Sequence, residues 1–436
     1  MNEKTATAKA NDFATSPVPA KERKGFWATA AVWMGWCISL SAFLTGGTIA
    51  AGCTLGTALA AVLLGNLILV VIGSLCGIIG YRTGLTTYTI YRLIFGEKGN
   101  VIVSVVMAIS LMAFIGVLMD SFSSTLNGLL PWFPIPLATC IFAACILASS
   151  INGFKGLSFI SAIAAPALIL LCVVCFIRTL LMPDAVNSLA NWQPATTISF
   201  VTAVGAATST WIGGATKTAD LTRYSKKVSH VVGGAALGYL AGAALFECVA
   251  VVCSIGVEDS NIVKVMAGLG MLVPAVIVLG LALWTTTDNN IYSAALAFTD
   301  MSEILHIKVS RKVWDLVCVL IALVVSLLGL SNNFKVWLNI IGTTSGPLAG
   351  IMISHFFIIH KWNETEYIVP SGFGVTGFIT WILSFIIAQN TQSPIPTLTS
   401  ILISFVLYIV LELVAKHIFH YTPKGKVFRI QQETEE

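Results

Sequence analysis

Residues Trp284 to Asn290, WTTTDNN, place three threonines, an aspartate and two asparagines between MLVPAVIVLGLAL and IYSAALAF, runs apolar enough for the middle of a bilayer. On a helix, Ala282, Thr285, Thr286 and Asn289 fall at i, i+3, i+4 and i+7 and make one narrow face of small and polar groups. A hydroxyl pair beside free carbonyls supplies the neutral oxygens that a hard monovalent cation such as sodium accepts. Threonine hydroxyls also bond back to the carbonyl four residues earlier, so the residues alone leave both readings open. Asp288 is the acid in this stretch, and an ionisable group at membrane depth marks a cavity, a partner or a pathway. Asp120 and Glu247 lie in similar runs without an assigned role, and Glu412 reads as structural.

Two other apolar runs are interrupted. WMGWCISLSAFLTGGTIAAG carries Ser39, Ser41 and Gly46-Gly47, and AVGAATSTWIGGATKTAD carries Thr208, Ser209, Thr210 and Gly213-Gly214. Small residues let helices pack closely. A matched pair five spans apart is also the pattern of unwound helices that bind ion and substrate near the midplane. Trp211 sits inside the second interruption and Phe114 could oppose it; a flat ring stacks on such faces while hydrogen bonds read its edge. No GxSxG, HExxH or Walker A pattern occurs, and the six histidines are scattered. The ten cysteines lie in or beside apolar runs without a CxxC pair and read as small hydrophobes of membrane helices. Enzymatic, metal-centred and nucleotide-driven readings therefore give way to gradient-driven transport.

The elements that must position these groups follow from composition. Of 436 residues, 56% are hydrophobic and 10% charged, against about 25% charged in soluble chains, and a net charge of +4 gives no reason to expect nucleic-acid binding. A bilayer core takes about 20 apolar residues per helix, which predicts an all-α integral membrane protein with twelve transmembrane helices. They cover 27–52, 56–80, 100–128, 135–151, 156–181, 197–216, 230–255, 269–298, 311–330, 334–359, 372–389 and 395–418. Residues 1–26 read as a disordered cytoplasmic leader and 419–436 as a cytoplasmic tail. With both termini inside, 21 of the 24 Lys and Arg fall in cytoplasmic segments, leaving only Arg178, Lys264 and Lys335 outside; the positive-inside rule then favours this orientation.

The chain resembles the nucleobase:cation symporters, which include bacterial cytosine permeases. KERKG leading into FLTGGTIAAG, GNLIL, YRTGLTTYTIYRLIFGEKGN, TADLTRYSKK, LVPAVIVLGLALWTTTDNNIYSAALAF and SGPLAGIMIS carry the resemblance, which extends from Pro19 over nearly the whole chain. It implies a leucine-transporter-like fold: a five-plus-five inverted repeat, 27–181 and 197–359, plus two C-terminal helices, 372–418. It implies a sodium site of carbonyls from Gly35, Ile38 and Ala282 with the hydroxyls of Thr285 and Thr286, completing broken first and eighth helices. It implies a base sandwiched by Phe114 and Trp211 with polar contacts near Ser39, Thr210, Gly213 and Thr287. Three positions depart from the cytosine-permease pattern: Leu111 replaces a glutamine, Thr287 an asparagine, and Phe114 a tryptophan; His355 also replaces an aspartate. Losing an amide at a buried ring edge can shift preference strongly.

The sequence thus predicts a plasma (inner) membrane importer of cytosine or a related base, coupled to sodium or a proton, with Asp288 as a possible coupling residue. It needs no other cofactor, no nucleic acid and no obligate protein partner besides the lipid bilayer. The alternatives are a carrier for a hydantoin, allantoin or hydroxymethylpyrimidine-type solute, or a non-transporting sensor of the same fold.

Overall fold

In lipid, backbone N–H and C=O groups must be paired within the chain, which leaves helices as the spanning element when strand alternation is missing. The computed structural model describes residues 12–258, 269–329, 334–361, 365–391, 393–420 and 424–430 and is built almost wholly of them. The helices of the first half are α1 (Phe26–Cys37), α2 (Leu40–Gly52), α3 (Leu55–Thr83), α4 (Thr87–Phe95), α5 (Glu97–Leu129), α6 (Ile135–Ser150), α7 (Phe154–Leu180) and the short α8 (Ala185–Asn191). Then come α9 (Phe200–Ala215), α10 (Ala219–Thr222), α11 (Val228–Ala236), which runs through a π-turn into α12 (Leu245–Val257), α13 (Leu272–Ile304), α14 (Arg311–Leu327) and α15 (Phe334–Ser354). Last are α16 (Val375–Asn390) and α17 (Pro396–His417), with β1 (Glu366–Pro370) and β2 (Gly425–Arg429) paired antiparallel. Against the twelve spans expected, six helices among the described residues are individually long and apolar enough to cross a membrane; α1 with α2, bent by 51°, makes a seventh.

The interior is largely apolar, and much of the outer surface is apolar too. Leu63, Leu67 and Val71 on α3, and Leu402, Val406 and Val410 on α17, are exposed at i, i+4, i+8 spacing, which makes apolar stripes suited to lipid. Asn66, Thr208, Glu247, Asp288 and Asp300 are buried instead.

Both interrupted runs contain a break held by side chains, but the glycine pairs are not at the breaks: Gly46-Gly47 lies inside α2 and Gly213-Gly214 inside α9. α1 ends at Ile38 (φ −76°, ψ 102°), and Ser39 caps α2 by accepting from the Ala42 N–H at 3.3 Å; serine at this position satisfies an orphan helix donor. The second break, Thr216–Thr218, separates α9 from α10. Thr218 Oγ1 donates to the Gly73 carbonyl (2.9 Å) and Thr222 Oγ1 to that of Gly77 (2.7 Å), both on α3. Glycine allows this approach: a Cβ at Gly80 would stand 2.5 Å from Ala219 Cα. Asp220 fixes the far side, accepting from the Thr87 N–H (2.8 Å) and from Ser293 Oγ (3.0 Å) on α13.

Three expectations need correction. The eighth segment is not broken: α13 runs continuously from Leu272 to Ile304, because its polar residues satisfy their own helix, as when Asn289 and Asn290 side chains donate to Thr285 and Thr286 carbonyls. The leader is not disordered throughout: Phe13, Ala14 and Val18 are buried. The Asp12 carboxylate accepts from Tyr292 Oη (2.5 Å), Tyr224 Oη (2.7 Å) and the Phe154 N–H (3.1 Å), while Arg223 donates to the Phe13 and Asp12 carbonyls. Lys217, Arg223 and Arg311, counted as loop cations, are buried.

Candidate functional site

A cavity opens where the two breaks meet α5 and α13. Trp36 and Ser41 come from α1 and α2 and flank the first break; Ser209, Thr210, Trp211, Gly213, Gly214 and Lys217 surround the second. Leu111 and Phe114 of α5, Thr286 and Asn290 of α13, and Gly342 of α15 close the other side. Trp211 meets Trp36 edge to face, centroids 6.1 Å apart at 77°, and Gly214 lies beneath both rings, where a Cβ would touch each at 3.3 Å. Neither indole N–H has a hydrogen-bond partner among the described residues. Thr210 Oγ1 shares a 2.6 Å bond with Thr45 Oγ1, and Ser41 Oγ one of 2.5 Å with Ser39 Oγ. The cavity thus offers aromatic faces, hydroxyls and indole donors, which suits a flat ring with a polar edge.

Of the residues expected at the ring, Trp211, Phe114, Thr210, Gly213 and Leu111 lie on this wall, whereas Ser39 stands one hydroxyl behind it. Thr287 does not reach it. Thr286 and Asn290, four apart, share the cavity face of α13, which turns Thr287 about 100° away; its hydroxyl is buried without a partner.

The expected ion ligands are partly gathered. Ile38 and Ala282 belong to one packed cluster. Thr285 Oγ1 donates back to the Leu281 and Ala282 carbonyls (3.2 and 3.1 Å), while Thr286 Oγ1 is buried with no partner among the described residues. Gly35 is pressed against α7, where a Cβ would lie 2.5 Å from Ser161 Oγ, itself a buried hydroxyl without a partner.

The remaining acids lie elsewhere. Asp288 is buried, its carboxylate oxygens have no hydrogen-bond partner among the described residues, and it is off the cavity wall. Glu247 accepts from Asn66 Nδ2 at 2.7 Å, Asp120 from Ser124 Oγ at 3.3 Å, and Glu412 from Thr376 Oγ1. His355 pairs with Tyr408 Oη at 2.8 Å. All ten cysteines are free thiols.

A family model described as permease for cytosine/purines, uracil, thiamine, allantoin matches residues 17–389. The chain belongs to this permease family. It is 29% identical to the cytosine permease of Escherichia coli (strain K12) over 354 residues, covering 81% of this chain and 83% of the relative. Among solved structures, Mhp1, a nucleobase-cation-symport-1 family transporter, superposes in its closed, bromovinylhydantoin-bound form with a TM-score of 0.80 at 19% identity, covering 92% of this chain and 95% of Mhp1. The inward-facing form of Mhp1 gives 0.74 at 19% identity, covering 94% and 98%. A Na+-coupled sialic acid symporter gives 0.71 at 12% identity, covering 98% and 94%. The permease is therefore an integral membrane transporter with the expected leucine-transporter-like fold, not an enzyme.

Several wall residues of the permease escape a reading of its sequence. Trp36 carries a weak signal, two residues before the first break, and Asn290 is one helical turn beyond Thr286. Lys217 carries none, because nothing local marks which cations are enclosed.

Proposed function

We propose that this permease is a secondary active transporter that imports a nucleobase or similarly flat heterocycle together with sodium, across the plasma (inner) membrane, by alternating access. The observation that carries the reading is the cavity that has both Trp211 and Phe114 on its wall beside the two helix breaks. Trp211 and Phe114 hold the ring faces, and Thr210, Gly213 and Ser41 meet its edge. Thr286, whose hydroxyl no protein group uses, joins Thr285 and the carbonyls of Gly35, Ile38 and Ala282 around the ion. The relatives, a cytosine permease and a nucleobase-cation-symport-1 family transporter, support the same class of cargo. An arrangement of twelve spans in a five-plus-five inverted repeat plus two C-terminal helices, with cytoplasmic termini, completes the proposal. Sodium and substrate then each tighten the other's binding by the same factor, as linkage requires.

The test is uptake of a panel of labelled nucleobases into proteoliposomes under imposed sodium or proton gradients. Sodium-driven uptake of at least one base is expected. Uptake driven by a proton gradient alone would replace sodium as the coupling ion, and no gradient-dependent uptake of any base would remove the proposal.

A further inference from the structure

Lys217 has no part in ring stacking or ion binding as assigned above, yet it lies on the wall of the same cavity. It occupies the break between α9 and α10, its N–H bonded to the Gly214 carbonyl at 2.9 Å, and is only 2% exposed. Its Nζ donates to Asn290 Oδ1 at 3.3 Å and stands 5.9 Å from the Trp36 ring centroid. No other hydrogen bond or ion pair reaches it among the described residues. The acid beside it in sequence, Asp220, is already engaged by the Thr87 N–H and Ser293 Oγ. An ammonium has three donors, and one of them has a hydrogen-bond partner among the described residues. A buried cation left in that condition is costly, and an acceptor on a bound ligand would complete it.

The rest of the wall has the same bias. The indole N–H groups of Trp36 and Trp211 have no partner among the described residues, Asn290 Oδ1 already accepts from Lys217, and Leu111 puts hydrocarbon on the α5 wall. The hydroxyls of Ser41, Ser209, Thr210 and Thr286 on the wall can donate or accept, whereas Lys217, the charged residue of the lining, can only donate. An exocyclic amino group needs an acceptor; a carbonyl oxygen or a deprotonated ring nitrogen needs a donor.

We propose that Lys217 makes this permease selective for oxo and acidic heterocycles, flat rings whose edge presents carbonyl oxygens or negative charge, over amino-edged rings such as cytosine and adenine. This rests on the proposed function and names its substrate class. The ring lies between Trp211 and Phe114 with its oxygen-bearing edge toward the Lys217 ammonium.

The experiment is competition binding to the purified full chain in nanodiscs, using the matched pairs uracil against cytosine and xanthine against adenine, which exchange a carbonyl for an amino group. The wild type should favour the oxo member of each pair by about tenfold or more, the scale of a hydrogen bond to a charged group. Lys217→Met should abolish that preference while changing cytosine and adenine binding less than threefold. Asn290→Asp keeps the lysine but neutralises it in place and should reduce oxo binding in the same direction, which covers the case in which Lys217→Met does not fold. A wild type that prefers the amino member, or a folded Lys217→Met that weakens both classes equally, overturns the inference and leaves the proposed function standing. Failure of the folded wild type to bind any ring overturns both.

Discussion

Replacing Trp211 by alanine separates a ring platform from a packing residue. Its ring lies on the cavity wall and its edge packs on Trp36 at 6.1 Å, so the substitution removes two things at once. Stacking of a base on an aromatic face is worth about 1–3 kcal/mol by alanine substitution, which corresponds to about 5- to 150-fold in Kd. The edge contact with Trp36 adds about 0.5–1.5 kcal/mol of stability, and losing it lowers the melting temperature without changing which ring is bound. Trp211→Phe retains a face but gives up the indole N–H, so its loss in affinity should fall between wild type and alanine. The assay is saturation binding of a radiolabelled base in nanodiscs, with thermal unfolding followed on the same samples. A folded Trp211→Ala protein that binds its best base within twofold of wild type would refute the stacking role.

Thr286→Ala should reduce the stimulation of binding by sodium more than sodium-free binding, because the hydroxyl removed has no protein partner; equal reductions in a sodium titration would contradict an ion role. Leu111→Gln puts an amide with both donor and acceptor on the cavity wall and should move the cytosine-to-uracil affinity ratio toward cytosine, read by competition. Gly80→Ala forces a Cβ to within 2.5 Å of Ala219 Cα, and overpacking of this kind costs about 1–3 kcal/mol, so detergent melting should shift down even with substrate present.

Hydroxyls inside apolar runs point to the two broken regions, and Ser39 does cap the first break, but the glycine pairs mark helix interiors rather than the breaks. Trp211 and Phe114 are legible as aromatic residues near those regions, and both lie on the cavity wall. The phase of α13 is harder: 3.6-residue periodicity groups Thr285, Thr286 and Asn289 without saying which side meets the cavity, and the family resemblance that points to Thr287 does not supply the phase that puts Asn290 on the wall. Lys217 was hidden by the reasoning that finds spans at all. A charge after an apolar run marks the end of a span, so an enclosed cation looks like a loop cation. The N-terminal segment misled by composition, since its burial depends on Arg223 and Tyr292, more than 200 residues away in sequence.

Asp12 touches the first turn of α7, the turn after α10, and α13 through one carboxylate. Any motion that parts these three elements on that side must first break a set of charge-assisted bonds, so the segment sets a threshold for opening. The consequence is practical: an affinity tag fused just upstream of Asp12 is expected to disturb these bonds, which a comparison of turnover between N-terminally and C-terminally tagged proteins would show.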